Sequence, residues 1–416
     1  MATCMTHNGT TRLLDGLRIL ELGHFIAAPF ATRLLGDLGA DIIKIEPPEG
    51  DPVRQWGEQL HGLSLWWSSH GRNKRSVALD IKHPRGRELL LGLAAQCDAV
   101  VENFRPGQLA KLGLSDDELR RENPELVIAH VSGFGQTGPY RNRAAFGVIG
   151  EAVGGLRFLT DHPPGTSDLP PVRAGVSIGD SVAGLYAALA VMSGLWRRDS
   201  QKNKSAQPTA WTLDVALTES VLSLMEGMLP EYSALGKIKE PTGGGIATAA
   251  PSNAYRCLDA AWVLIAANSD PLFNKLMLLL GRQDLNRDPR FSGNRNRVAH
   301  ARELDEIIEG WTSKYASADV LEKLNFADIP NCRVFTAADC ANDPQYRDRG
   351  MVREEFDPLL GRSILQPGIV PLVPGTDNGI RWTGPAVGQH SDEVLKELLD
   401  IRSEEIKTLR RQGVVL

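Results

Sequence analysis

Few side chains in these 416 residues stand where type and spacing favour chemistry, and Asp180 is the first of them. It lies in the step Gly179-Asp180-Ser181, just ahead of Gly184–Arg197, where Leu185, Leu189, Met192 and Leu195 recur at helical spacing. The free N–H groups and dipole at a helix N-terminus favour an ionised carboxylate. Such an aspartate can serve as a nucleophile, and it is equally an ordinary N-cap. Gly243-Gly244-Gly245 reads either as a linker or as a lid over a reaction centre. Arg72, Lys74, Arg75, Arg105 and Lys111 form either a solvated face or a set of forks and point charges for a phosphorylated ligand. His24 reads either as a loop histidine or as part of a ligand-binding turn. The sequence contains no H-E-x-x-H, G-x-S-x-G or G-x-x-x-x-G-K-[ST] motif, so zinc-protease, serine-hydrolase and P-loop readings lack their signatures.

These residues need elements to hold them. Leu17–Leu22 reads as a buried strand, Phe25–Leu38 as a helix closed by Gly39, and Asp41–Glu46 as a second strand stopped by Pro47-Pro48. Strand, helix, strand over about 30 residues is a βαβ unit and predicts a parallel sheet. Strands at 75–80, 98–103 and 125–131 and helices at 85–96 and 115–122 continue it, the last with a Ser115/Glu118 capping box. Residues 17–132 thus predict an open doubly wound α/β layer. Its working loops, after the strands, are 23–29, 46–51, 103–107 and 132–139. The first holds one glycine, Gly23, so the G-x-G-x-x-G dinucleotide fingerprint is missing. Beyond the layer, 160–171 and 200–208 read as loops and 213–229 as a helix. The middle of the chain predicts a smaller domain, with a strand near 262–265 and helices at 271–280, 301–315 and 317–324. The tail from Leu372 predicts two helices, near 393–399 and 404–411.

Composition narrows the class. Hydrophobic residues are 42% and charged residues 23%, an average globular balance, and the net charge of −5 argues against nucleic acid as the main partner. Five cysteines (Cys4, Cys97, Cys257, Cys332 and Cys340) without a C-x-x-C pair fit reduced thiols in a cytoplasmic protein. No uninterrupted apolar run nears the roughly 20 residues of a membrane span, and the polar start has no signal-peptide pattern. We therefore expect a cytoplasmic enzyme with no membrane and no nucleic-acid partner.

Several segments together resemble the class III coenzyme A transferases. They are 14–22, Ala28-Pro29-Phe30, 35–46, Asn73-Lys74-Arg75-Ser76, 101–107, 133–139, Gly179-Asp180 with Ala183-Gly184-Leu185, Asp288-Pro289-Arg290-Phe291 with Asn296-Arg297, and Gly388-Gln389-His390. The likeness spans roughly 14–414. It implies a Rossmann-like large domain with an open parallel sheet from both ends of the chain (1–225 and 341–416) and a smaller α+β domain (226–340). Two such ring-like chains would interlock as a homodimer.

The resemblance also implies chemistry. Asp180 matches the family nucleophile. It would attack an acyl-CoA thioester to give a mixed anhydride, and CoA thiolate would then form an aspartyl-CoA thioester and release the donor acid. An acceptor carboxylate would reverse the sequence. Gly243, Gly244 and Gly245 match the glycine loop that shields these intermediates from water. His24, Phe25 and Ala27 match the CoA-cradling loop; Lys74, Asn103, Phe104 and Lys111 match positions near its adenine and phosphates, with Arg105 beside them, and Phe134 one near the pantetheine. Pro47 replaces an arginine of some members. CoA and its thioesters are then substrates, with no permanently bound cofactor and no metal.

Racemases of 2-methylacyl-CoA esters share the fold, but Ala145-Phe146-Gly147 stands where their histidine lies, and phenylalanine cannot move a proton. A CoA-ester binding protein without activity is a further alternative. The run 146–157 resembles members that use succinyl-CoA with C4–C5 dicarboxylates, and Arg141, Arg143, Arg157 and Arg173 are candidates for a distal carboxylate.

Overall fold

The computed structural model describes residues 12–201 and 211–416. Cys4 and residues 202–208 of the expected polar loop lie outside the described residues. Contacts divide the chain into two units. The first takes the described residues up to Leu156, with Ala174–Glu226 and Asp343–Leu416. The second takes Arg157–Arg173 and Gly227–Asn342, so the 157–173 segment groups with the middle of the chain.

The first unit is built on a six-stranded parallel sheet of β1 (Arg18–Glu21), β2 (Asp41–Glu46), β3 (Lys74–Ala78), β4 (Ala99–Glu102), β5 (Val127–Ser132) and β6 (Thr212–Ala216). Their spatial order is β3-β2-β1-β4-β5-β6. Alternation along each strand feeds two cores. Leu20, Ile43, Val100 and Ile128 point to one face, with Leu89, Leu93, Val394 and Leu409 from covering helices. Ile19, Ile42, Val101 and Val127 point to the other. The inner strands therefore send apolar residues to both faces, Ile19 and Leu20, Ile42 and Ile43, and Val100 and Val101 among them.

The second face carries α1 (Ala27–Asp37) and, after α2 (Pro84–Ala95), α3 (Asp116–Glu122) and α4 (Gly147–Val153), the long helix α5 (Ile178–Gln201). Helix α5 begins at 178, six residues before the stretch with apolar spacing, which places Asp180 in its first turn. By length and composition it is apolar enough to cross a membrane, which the broken sequence run did not suggest. Its Ala183, Ala187, Val191 and Leu195 instead pack into the second core. A Cβ on Gly184 would lie 2.7 Å from the Ala27 carbonyl, so this glycine lets α5 cross closely over α1.

One expectation fails. The region read as a helix over 213–229 opens with edge strand β6, followed at once by a helix over Leu217–Leu222. No glycine or proline separates strand from helix, and edge strand β6 is defined only by its pairing with β5.

The second unit has an antiparallel three-stranded sheet, Ser252–Arg256, Trp262–Ala266 and Asn331–Arg333, with Trp262–Ala266 central. Helices Asp270–Leu279, Ala301–Thr312 and Ser317–Phe326 supply Phe273, Leu276, Leu304, Ile308, Val320 and Leu324 to its core. Cys97 and Cys257 are buried, Cys332 is exposed, and none of the four described cysteines is in a disulfide.

Candidate active site

In the order β3-β2-β1-β4 the winding of the sheet switches sides between β1 and β4, and the loops that follow these two strands form a crevice suited to a ligand. His24 follows β1 and Asn103 follows β4. The His24 N–H donates to Asn103 Oδ1 at 2.8 Å, and Asn103 Nδ2 donates to the His24 carbonyl at 2.8 Å. The His24 ring stands edge-on to Phe104, centroids 5.2 Å apart. Burial and then the nearby Lys44 charge push the His24 imidazole below its usual pKa, so the ring is neutral at pH 7.

The next residue, Phe25, has φ 61°, a left-handed conformation rare for a bulky side chain. Its N–H donates to Asp51 Oδ1 at 3.1 Å, which ties the 23–29 loop to the loop after β2. Its ring packs on Trp56 at 4.9 Å and edge-on to Phe146 at 6.0 Å. Next to Phe146, a Cβ on Gly147 would fall on the Asp180 carboxylate. A run of contacts therefore links Asn103, His24, Phe25, Phe146 and Gly147 to Asp180, which is partly buried. Gly179 N–H faces Glu151 Oε1 at 3.5 Å, so a buried carboxylate from α4 sits beside the first turn of α5.

The other expected residues distribute differently. Ala27 is buried at the start of α1. Phe134 packs edge-on against Tyr140 at 5.7 Å. Arg105 and Lys111 are exposed, and Arg105 borders a cavity of about 310 Å³ with Glu102, Asp116, His130, Gln136 and Thr212. Lys74 is fully buried; its ammonium meets Glu21 Oε2 at 2.8 Å and donates to the Pro29 carbonyl at 2.7 Å. It lies beneath the 23–29 loop in this conformation, where burial leaves no room for a phosphate. Gly243, Gly244 and Gly245 belong to the second unit. Gly243 has φ 67° and donates its N–H to the Asp161 carbonyl at 3.1 Å, and Thr242 Oγ1 donates to the Gly245 carbonyl at 2.9 Å. Arg141 and Arg143 belong to the first unit, Arg157 and Arg173 to the second.

Residues 14–391 match the model of CoA-transferase family III. The chain belongs to this family. Over 99% of its length and 100% of the relative's, the transferase is 42% identical to the succinyl-CoA:D-citramalate CoA-transferase of Chloroflexus aurantiacus. It is 36% identical to the succinyl-CoA:L-malate CoA-transferase beta subunit of that organism, over 98% and 99% of the two chains. It is 31% identical to the human succinyl-CoA:glutarate CoA-transferase, over 97% and 90%. A solved CaiB/BaiF family protein from Brucella suis superposes with a TM-score of 0.81 at 32% identity, covering 93% of this chain and 99% of that one.

Sequence reasoning named Lys74 as a ligand contact and overlooked the buried charge group it forms with Glu21, Lys44 and Asp51 under the crevice of the transferase. Glu21, Lys44, Asp51 and Lys74 have no side-chain exposure. The signal was present in Asp41-Ile42-Ile43-Lys44-Ile45-Glu46, where a lysine interrupts the apolar run of a buried interior strand. His130 was also missed. Its Nδ1 meets Glu102 Oε1 and its Nε2 lies 3.1 Å from Asp116 Oδ1. Burial lowers its pKa, but the hydrogen bonds to Asp116 and Glu102 outweigh that and raise it to about 10, so both ring nitrogens donate at neutral pH.

Proposed function

We propose that this transferase moves CoA from succinyl-CoA to a C4–C5 dicarboxylate, with Asp180 as the carboxylate relay. The observation that carries the reading is full-length similarity to relatives named for succinyl-CoA with citramalate, malate and glutarate. Asp180 Oδ attacks the thioester carbonyl; the C–S bond breaks and CoA leaves as thiolate, giving an anhydride. The thiolate attacks the Asp180 carbonyl, succinate leaves, and aspartyl-CoA remains. The acceptor carboxylate displaces CoA from that thioester, and the thiolate then takes the acceptor's acyl group and frees Asp180. A carboxylate is exchanged for a carboxylate, and no net proton or water is consumed.

Position supports the role. The first turn of α5 presents N–H groups that stabilise negative charge on Asp180, and the absent side chain at Gly147 leaves space beside it. The neutral His24, Phe25, Asn103 and Phe104 form the wall that receives CoA. Arg105 and Lys111, both exposed, supply charge for its phosphates. An arginine holds the distal carboxylate. The pairing of Phe146 with Phe25 offers no acid or base for proton exchange at C2, which favours transfer over racemisation.

The functional form is an interlocked homodimer in the cytoplasm. Leu185, Leu189 and Trp196 on α5 and Phe146 and Val153 beside it leave an apolar face, with Trp196 76% and Leu189 63% exposed. Light scattering should report twice the chain mass.

Mass spectrometry after incubation with succinyl-CoA should find the Asp180 peptide carrying CoA or a succinyl group. Asp180→Ala should lower turnover by at least roughly 10³-fold. An unmodified peptide together with an active Asp180→Ala enzyme would dispose of the mechanism.

A further inference from the structure

The crevice loop carries an unexplained strain. Phe25 holds φ 61°, and a non-glycine residue keeps such a conformation only when its surroundings dictate it. Directly beneath lies a closed group of four buried charges. Glu21 and Lys44 are register partners on β1 and β2, and Lys44 Nζ meets Glu21 Oε1 and Asp51 Oδ2, each at 2.7 Å. Lys74 Nζ, from β3, meets the second Glu21 oxygen at 2.8 Å. Thr32 Oγ1 donates to that same oxygen at 2.5 Å.

One donor of each lysine goes to the loop itself. Lys44 donates to the Gly23 carbonyl at 2.8 Å and Lys74 to the Pro29 carbonyl at 2.7 Å, one at each end of the 23–29 turn. Asp51 Oδ1 accepts the Phe25 N–H between them, and the Val53 N–H at 2.9 Å. Two positive and two negative charges cancel, so the group persists without water. Three of its four members reach the backbone of a single turn, and Glu21 joins the two lysines.

We propose that this cluster is a clamp that sets the His24–Phe25 turn in the conformation that receives the CoA thioester, with Asp51 as the positioning residue that holds Phe25 left-handed. The proposal rests on the reading that this turn cradles CoA. Asp51 touches no substrate; it acts through the Phe25 N–H.

The test uses the full-length enzyme and the KM for succinyl-CoA in four forms: wild type, Asp51→Ala, Phe25→Gly and the double variant. Loss of the acceptor leaves a backbone donor unpaired, so Asp51→Ala should raise KM about tenfold while kcat stays within about twofold. Glycine adopts a positive φ unaided. In the Phe25→Gly background Asp51→Ala should therefore leave KM within about twofold of Phe25→Gly alone, although it still lowers the melting temperature. An equal KM rise in both backgrounds, or none in either, overturns the clamp. A Phe25→Gly enzyme with wild-type KM and wild-type CoA affinity instead removes the reading that this turn receives CoA. Should Asp51→Ala fail to accumulate as folded protein, Asp51→Asn is measured in both backgrounds. It removes the charge but keeps the volume, and the same dependence on the residue at 25 decides.

Discussion

Two charge clusters stand in the first unit, and they are built on different terms. The Glu21–Lys44–Asp51–Lys74 group is wholly buried and its charges cancel. The Glu102–His130–Asp116 group is graded: side-chain exposure runs from 4% at Glu102 through 12% at His130 to 29% at Asp116. Even with His130 charged it carries a net negative charge, and it borders the cavity that Arg105 lines. In the first group burial opposes every ionisation, yet the lysines hold the Glu21 and Asp51 pKa values down and the carboxylates hold Lys44 up. Lys74 alone drops, to about 8, because burial and the Lys44 charge outweigh Glu21. In the second group burial wins at Glu102, whose pKa rises, while Asp116 falls below its usual value through His130. Full burial with balanced charge makes a rigid support. Partial burial with a histidine makes one that responds to pH.

The contrast is broken most severely by removing one charge from the balanced group. Lys44→Met leaves Glu21 and Asp51 facing Lys74 alone in a dry site, and it should cost about 3–5 kcal/mol in chemical denaturation. A cost below about 1 kcal/mol, the worth of an exposed pair, shows that the cluster is no rigid support.

His130→Gln should cost less, about 1–3 kcal/mol at pH 6, and its cost should depend on pH. The folded pKa of about 10 lies above the ordinary 6.5, so the histidine's contribution is complete below about 6.5 and fades as pH rises through 10. The gap in melting temperature between wild type and variant should therefore narrow from pH 6 to pH 10. A constant or widening gap contradicts a charged His130.

The smallest expected effect lies at the edge of the same group. Ser115 accepts the Glu118 N–H at 3.3 Å while Glu118 accepts the Ser115 N–H at 2.8 Å, and this capping box starts α3 at Asp116. Ser115→Ala should cost about 1 kcal/mol. Part of that loss should vanish in the His130→Gln background, because a fraying α3 then has no histidine to release. Strict additivity would uncouple the cap from the cluster.

Legibility in the sequence followed locality. The first five sheet strands were readable within about two residues, because each buried strand alternates apolar residues toward two cores and ends at a turn. The Ser115 cap was readable because all its atoms come from four consecutive residues. Strand β6 was not readable, since only pairing with β5 distinguishes it from the helix that follows without a break. Among site residues, Asp180, His24, Phe25 and Asn103 were picked out by family motifs, and the fold brings the loops that hold them together. Lys74 was picked out as a phosphate contact because a lysine in a sequence carries no sign of its burial.

The sequence by itself determined the first five strands of the parallel sheet with the helices between them, a carboxylate at the start of an apolar helix, and membership in CoA-transferase family III. These rest on period, punctuation and motif, which are properties of neighbours along the chain. Only the tertiary structure decided that Asn103 clasps His24, that Asp51 accepts the N–H of a left-handed Phe25, and that Lys74 faces inward beneath the turn. Those outcomes depend on distances between strands some 25–80 residues apart in sequence, where a charge is stable only if its partner arrives with it.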